Sequence, residues 1–184
     1  LEAQIADQPF GRMVAFHGQM GMFVRALSYM KSHGSDGLRQ VAEDAVLNAN
    51  YILASLQDVM TAPFAGPCMH EALFDDGFLK GTGVETLDFA KAMIDEGYHP
   101  MTMYFPLVVH GAMLIEPTET ESRDTLDLFI ATLQDLVRSA KVGETERFTN
   151  APELAPRRRL DETRAARQPI LRWQAAEATA QAAE

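Results

Sequence analysis

The sequence predicts an α/β fold in which a short antiparallel sheet is covered by helices. Apolar residues recur at helical spacing in four stretches, and three short apolar runs between them are bounded by turn-forming residues. Packing helices against a small antiparallel sheet buries the apolar side of both kinds of element. The length of 184 residues allows one domain, or one domain with extended ends.

The longest predicted helix begins at Ser35 or Asp36 as N-cap and continues to about Val59. A shorter helix over residues 22–30 precedes it and is expected to stop at Gly34. The apolar residues of the long helix follow the i, i+3, i+4 rule over about six turns. They are Leu38, Val41, Ala45, Ala49, Ile52, Leu56 and Val59.

Two further helices follow the Thr-x-x-Glu spacing of a capping box, at residues 82–85 and 118–121. The first is expected to stop at Gly97. Their predicted apolar faces are Leu87, Ala90, Met93 and Ile94 in the first, and Leu126, Phe129, Ile130, Leu133 and Val137 in the second. The predicted strands are residues 68–75, 101–105 and 111–115, and an alanine-rich helix is possible over 174–184.

Composition narrows the classes of function. The net charge is -10 and the isoelectric point is about 4.9, whereas general nucleic-acid binding or docking on an anionic membrane needs a basic surface. No apolar run approaches the roughly 18 residues of a membrane helix, and no signal peptide is expected. The single cysteine, Cys68, allows no internal disulfide and suits a reducing cytosol, so a cytoplasmic protein is expected.

The titratable residues give weak signals by themselves. No metal site is expected, because the five histidines are scattered and the single cysteine lies among them. His70 and Glu71 fall in a predicted strand, where neighbours point to opposite faces. That position favours a hydrogen-bonded core histidine over an acid/base pair.

Three other strings contain polar or charged residues, and two of them allow more than one interpretation. His99 precedes Pro100, which favours extended backbone, and this either places His99 and Thr102 at the lip of a cleft or forms an ordinary turn. Residues 116–121 are explained as a strand end, an N-cap and acidic residues favoured by a helix dipole. Six of the twelve arginines lie between Arg157 and Arg172, where they suit either an acidic ligand or surface ion pairs.

Taken together, six strings in order resemble glycine decarboxylase P-proteins. The resemblance runs from about Phe10 to Trp173, and its end is similar to the subunit 2 form of split P-proteins in bacteria. The strings are Phe16–Gly21, Val24–Tyr29, Ala45–Tyr51, Met69–Glu71, Gly97–Thr102 and Glu116–Glu119, and the end comprises Arg159–Arg167 and Leu171–Trp173.

The resemblance implies the small C-terminal domain of an aspartate-aminotransferase-like, fold type I enzyme that uses pyridoxal 5'-phosphate (PLP). Residues 1–34 would be a connecting segment and helix from the large domain, 35–143 the small α/β domain, and 144–184 an extended C-terminal arm and tail. The family decarboxylates glycine and passes the aminomethyl group to lipoylated H-protein. P-protein subunit 1 is the implied partner in a hetero-oligomer, with a homo-oligomer as the alternative.

The resemblance also implies which residues face the cleft. His99 and Thr102 are expected at the substrate, with His70 approaching from the adjacent strand. Gly18 and Gln19 are expected to reach a cofactor phosphate across a subunit interface, since glycine permits close backbone approach. His17 and Gln19 replace the more usual aromatic residue and asparagine of the family motif. The alternative to an enzyme fragment is a non-catalytic interaction module that kept the P-protein scaffold.

The most important departure of the chain from the family concerns the PLP lysine. In the family that lysine lies upstream of this region in a His-Lys context. The four lysines here are Lys31, Lys80, Lys91 and Lys141, and none follows a histidine. No residue of this chain is therefore expected to attach PLP.

We predict that no lysine of this chain forms a stoichiometric adduct with PLP. The protein is mixed with PLP and reduced with borohydride, and labelled peptides are mapped by mass spectrometry. Trace labelling spread over the lysines is the background expected of exposed amines. One lysine labelled in a stoichiometric amount would contradict the prediction.

Overall fold

The computed structural model of the protein describes residues 18–172. The elements, in chain order, are α1 (Met20–Leu56), β1 (Ala72–Phe74), a short 3-10 helix (Asp76–Leu79), α2 (Thr86–Asp95), β2 (Thr102–Met103), β3 (Met113–Ile115), α3 (Arg123–Lys141), α4 (Glu146–Thr149) and α5 (Glu162–Arg167). This order confirms the predicted α/β class. The predicted helix at 174–184 lies outside the described residues. Among the described helices, none is long and apolar enough to cross a membrane.

The sheet has the order β1-β3-β2, and both pairs are antiparallel, as predicted. All three strands are shorter than predicted. The backbone N–H of Cys68 donates to the Asn50 side chain in α1 at 2.9 Å, so the chain before β1 is held by a helix and not by the sheet. At the other edge, Tyr104 has a φ of 58°, which turns the chain out of β2.

The core lies between the sheet and the three long helices. Ala72 and Phe74 of β1 are buried with Met113 and Ile115 of β3, while Leu73 between the first two is half-buried. This is the period-two alternation of a sheet covered on one face. The predicted inner faces of α1 and α3 are confirmed in part: Leu38, Val41, Ala45, Val59 and Phe129 are half-buried. The predicted residues that are fully buried are Ala49, Ile52, Leu56, Leu126, Ile130, Leu133 and Val137.

The inner face of α2 differs from the prediction. Phe89 is fully buried, whereas Leu87 and Ile94 are only half-buried. The Phe89 ring packs edge-on against Phe78 with centroids 5.5 Å apart, and stacks on Phe148 at 6.1 Å. Because Phe148 belongs to α4, the orientation of α2 depends on a residue far along the chain.

Both predicted capping boxes are wrong. At α2 the N-cap is Glu85, and its backbone N–H donates to the Asp88 carboxylate at 3.0 Å. Thr82 instead donates its hydroxyl to the Leu79 carbonyl in the preceding turn. At α3 the N-cap is Ser122, whose hydroxyl accepts from the Thr125 N–H at 3.2 Å, because the chain continues as a loop through residues 118–121.

Gly34 interrupts α1, as the sequence predicted. Its φ of 67° and ψ of -175° are not helical, and that conformation favours glycine. Every residue from 18 to 36 is exposed, whereas α1 contributes to the core from Ala49 onward. The helix after the break ends at Leu56, so Val59 lies in the following turn.

The first half of α1 should exchange its amide hydrogens faster than residues 41–56, and the chain should self-associate. An apolar stripe of Met20, Met22, Phe23 and Met30 is exposed there, and large exposed apolar patches tend to find partners. Hydrogen exchange read by mass spectrometry and sedimentation velocity measure the two effects.

A matched pair of variants isolates the stripe. Phe23→Ser should reduce self-association, whereas Leu128→Ser, at an exposed position of α3, should leave it unchanged. A monomer whose first helical half is fully protected from exchange would contradict the prediction.

Candidate functional site

A cleft of about 480 Å³ lies between β2, the end of β3 and the beginning of α3. The predicted residues His99 and Thr102 both line it. Its other polar side chains come from the far side of the cleft, and they are Glu116, Glu121 and Thr125. Ile52, Met101 and Phe129 contribute to its apolar wall. A few polar groups on an apolar wall are typical of a small-ligand pocket.

The loop after α2 and the first residue of β2 present His99 and Thr102 to this cleft. Tyr98 donates its backbone N–H to the Met93 carbonyl at 3.0 Å, which closes the end of α2. The Tyr98 ring packs edge-on against Phe129 with centroids 5.2 Å apart. Met101 is buried while His99 and Thr102 are exposed, so the buried side chain holds the segment and leaves the two polar groups outward.

The loop after β3 is tied to α1 at two points. Asn48 donates its side-chain N–H to the Thr118 carbonyl at 2.9 Å, and Tyr29 donates its hydroxyl to Glu119 at 2.7 Å. The acidic string therefore forms a loop bound to α1, and the N-cap predicted within it is wrong. The Tyr29 hydrogen bond, followed by one from the backbone, lowers the pKa of the Glu119 carboxyl. The same bond raises the pKa of Tyr29.

His70 is exposed, so its prediction as a core histidine is wrong. The reason is that β1 begins only at Ala72, and the strand alternation does not extend back to residue 70. His70 Nε2 lies 4.0 Å from Glu116 Oε1. His70 is not among the residues that line the cleft, but Glu116 is, and this places the histidine next to the cleft.

Gly18 and Gln19 lie at the start of α1. The Gln19 carbonyl accepts from the N–H groups of Met22 and Phe23, which begins the helix. Neither residue lines the cleft, so the structure does not bring them together with His99 and Thr102. Their contact with a cofactor phosphate stays a prediction, and His17 lies outside the described residues.

The described residues do not fit a PLP attachment site. Lys31, Lys80 and Lys141 are exposed on the outside of the domain, and Lys91 is half-buried in α2. No lysine or arginine lines the described part of the cleft, whereas Glu116 and Glu121 do. Two carboxylates disfavour the negative charge of a phosphate group, so the residues that line the cleft do not form a binding site for the phosphate of PLP.

The fold of the chain is similar to part of a known structure. A crystal structure of glycine decarboxylase (P-protein) of the glycine cleavage system, in inhibitor-bound form, is similar with a TM-score of 0.55 at 21% identity. The match covers 68% of this chain and 28% of that chain. This likeness shows that the chain has the fold of part of a P-protein.

A sequence model of one family matches residues 41–157, and its description is glycine dehydrogenase, C-terminal domain. The chain belongs to this family. The resemblance seen in the six ordered strings is thereby confirmed.

The curated relatives are much longer than this chain. A probable glycine dehydrogenase (decarboxylating) subunit 2 from Caulobacter vibrioides is 73% identical over 180 residues, which are 97% of this chain and 34% of the relative. The protein of the same description from Listeria innocua is 47% identical over 164 residues, covering 89% of this chain and 33% of the relative. The chain thus spans about a third of the length of these relatives.

Replacing Tyr29 by Phe should raise the pKa of Glu119 towards the usual range of a glutamate. The hydrogen bond from Tyr29 is the main cause of the lowered pKa. A carboxyl whose pKa is lowered by folding contributes stability above its unfolded pKa and loses it as the pH falls through the folded pKa. The raised pKa of Tyr29 means that the same bond is lost at the alkaline end, as the pH rises through that pKa.

Carboxyl carbon chemical shifts followed by NMR through an acid titration measure the change. Ser28→Ala is the control, because the Ser28 hydroxyl donates only to the Val24 carbonyl one turn earlier. An unchanged Glu119 titration in the Phe variant would show that the Tyr29 bond is not formed in solution.

Proposed function

We propose that the chain is the C-terminal part of a glycine dehydrogenase (decarboxylating) subunit 2, an oxidoreductase of the glycine cleavage system. The observation that carries the proposal is the 73% identity over nearly the whole chain to a protein of that description. The fold shared with a glycine decarboxylase P-protein supports it.

The complete protein decarboxylates glycine and transfers the aminomethyl group to the lipoyl arm of H-protein. PLP, when bound, supplies the electron sink for the loss of CO2. No lysine lines the described part of the cleft, so the lysine that attaches PLP belongs to the part of the complete protein that this chain does not cover. P-protein subunit 1 completes the oligomer, and the assembly is cytoplasmic.

The role of this chain is to supply one wall of the substrate cleft. The imidazole of His99, in the loop after α2, and the hydroxyl of Thr102, at the start of β2, are polar groups that line it. The Tyr98–Phe129 contact and the β2–β3 pairing hold the segment that carries both residues in place. Pre-positioned polar groups lower the barrier when they contact the transition state more strongly than the substrate.

We expect Thr102→Val and His99→Ala, made in the intact enzyme, to lower kcat/KM for glycine–CO2 exchange. Loss of a hydrogen bond made only in the transition state costs about tenfold for each ~1.4 kcal/mol. Thr149→Val and His110→Ala are matched controls, because both residues are exposed and neither lines the cleft.

Two outcomes decide against the proposal in different ways. Folded variants that keep the wild-type kcat/KM would show that the segment is only structural. An intact protein that binds its protein partners but shows no exchange at all would support the non-catalytic module instead.

A further inference from the structure

Three side chains of the types that bind metal ions lie close together at the end of the β1–β3 pair, beside the cleft. The ligand atoms of His70, Glu71 and Glu116 all lie within 4.8 Å of one another. They come from two segments that are far apart in the sequence, the entry to β1 and the exit from β3. The spacing of histidines along the chain gave no sign of this group.

The strand register explains why the two carboxylates meet. Ala72 pairs with Ile115, so one step further out brings Glu71 opposite Glu116. Like charges directly opposite each other on neighbouring strands are destabilising. Among residues 18–172, no lysine or arginine nitrogen lies within 4 Å of either carboxylate. The only basic side chain of these residues within that distance is His70, next to Glu116.

We propose that His70, Glu71 and Glu116 bind a divalent transition-metal ion such as Zn²⁺. One imidazole nitrogen and two carboxylate oxygens form a ligand set that such ions accept, with the remaining positions open to water or a ligand. The ion also offsets the two opposed negative charges.

The dimensions suit a metal of this size. Zinc bonds to nitrogen and oxygen are about 2.0–2.2 Å long and tetrahedral, so two ligand atoms on one ion lie about 3.4 Å apart. The ligand atoms here lie within 4.8 Å of one another, so binding requires them to approach by about 1.5 Å or less. His70 Nε2 and Glu116 Oε1 are 4.0 Å apart. Both side chains are about half exposed, which leaves them free to rotate closer together.

A metal ion at this site would change the charge beside the cleft. Glu116 belongs both to the ligand group and to the cleft lining. A bound ion adds positive charge beside a cleft whose described lining holds two glutamates and no lysine or arginine. An open coordination position there suits a carboxylate or another anionic oxygen of a small ligand.

Calorimetric titration of the metal-free 184-residue protein with ZnCl2 tests the site. We expect one strong site per chain in the wild type. His70→Ala, Glu71→Gln and Glu116→Gln should each weaken binding by at least about tenfold, since each removes one of three ligands. His110→Ala is the matched control, because His110 forms an exposed pair with the single carboxylate of Asp76 at 3.0 Å.

The metal-free stability of the variants separates loss of binding from loss of fold. Glu116→Gln removes one of two opposed charges, so the metal-free variant should unfold at the same temperature as wild type or higher. Wild-type binding weaker than about 1 mM would overturn the proposal. So would unchanged affinity in any of the three ligand variants, or a loss in His110→Ala equal to theirs.

Discussion

The pairing of β3 with both of its neighbours is the constraint on which the rest of the structure depends. Its register sets Ile115 opposite Ala72 and Leu114 opposite Thr102. A shift by one residue would turn the buried side chains of β3 away from the core, because side chains alternate between the two faces. The same shift would separate Glu116 from His70 and would move Thr102 relative to the cleft.

The entry to β3 is fixed by a close approach of the backbone. Gly111 has a φ of 58°, and a Cβ at this position would lie 2.2 Å from the Asp76 side chain. The Thr86 hydroxyl donates to the Gly111 carbonyl at 3.1 Å, which connects the start of α2 to the same point. A larger residue at position 111 would therefore displace the strand that positions the cleft.

Arg159 is one of several residues after α3 that bond to the earlier part of the domain. Arg159 contacts the Asp88 carboxylate and the carbonyl groups of Phe148 and Ala151, each at 2.7 Å. Because Phe148 and Ala151 are fully buried, the core continues past residue 143. Of the two interpretations of the arginine cluster, an ion pair within the chain describes Arg159, although the Asp88 carboxylate that it contacts is largely buried.

Local sequence patterns predicted the elements in which the buried side chains follow the repeat of the element itself. Ala49, Ile52 and Leu56 needed only the helical repeat of α1, and the break at Gly34 needed only the preference of glycine for a positive φ. The position of His99 and Thr102 at a cleft was predicted because Pro100 restricts the backbone beside them, and their contact with substrate stays a prediction. Each of these signals lies within a few residues of the feature that it predicts.

What the sequence did not predict depends on contacts between distant segments. The burial of Phe89 requires the ring of Phe148, and the approach of His70 to Glu116 requires the strand register. The helix starts were misplaced because Thr82 and Thr118 bond within turns that compete with capping. The connection of the acidic loop to Tyr29 spans 90 residues, and no local spacing carries that information.

The break in α1 divides the chain between two kinds of evolutionary pressure. A Cβ at Gly34 would meet nothing within 4 Å, so glycine is favoured there by the backbone angle and not by crowding. Among residues 18–172, every buried residue follows the break, and the first is Ala49. Substitutions from Ala49 onward are thus filtered by the core of this domain. Between residues 20 and 33 only Tyr29 is described with a side-chain hydrogen bond to a distant part of the domain, at Glu119, and the other positions there are filtered by the surface that this part of the helix meets. The two halves of one helix are therefore expected to diverge at different rates.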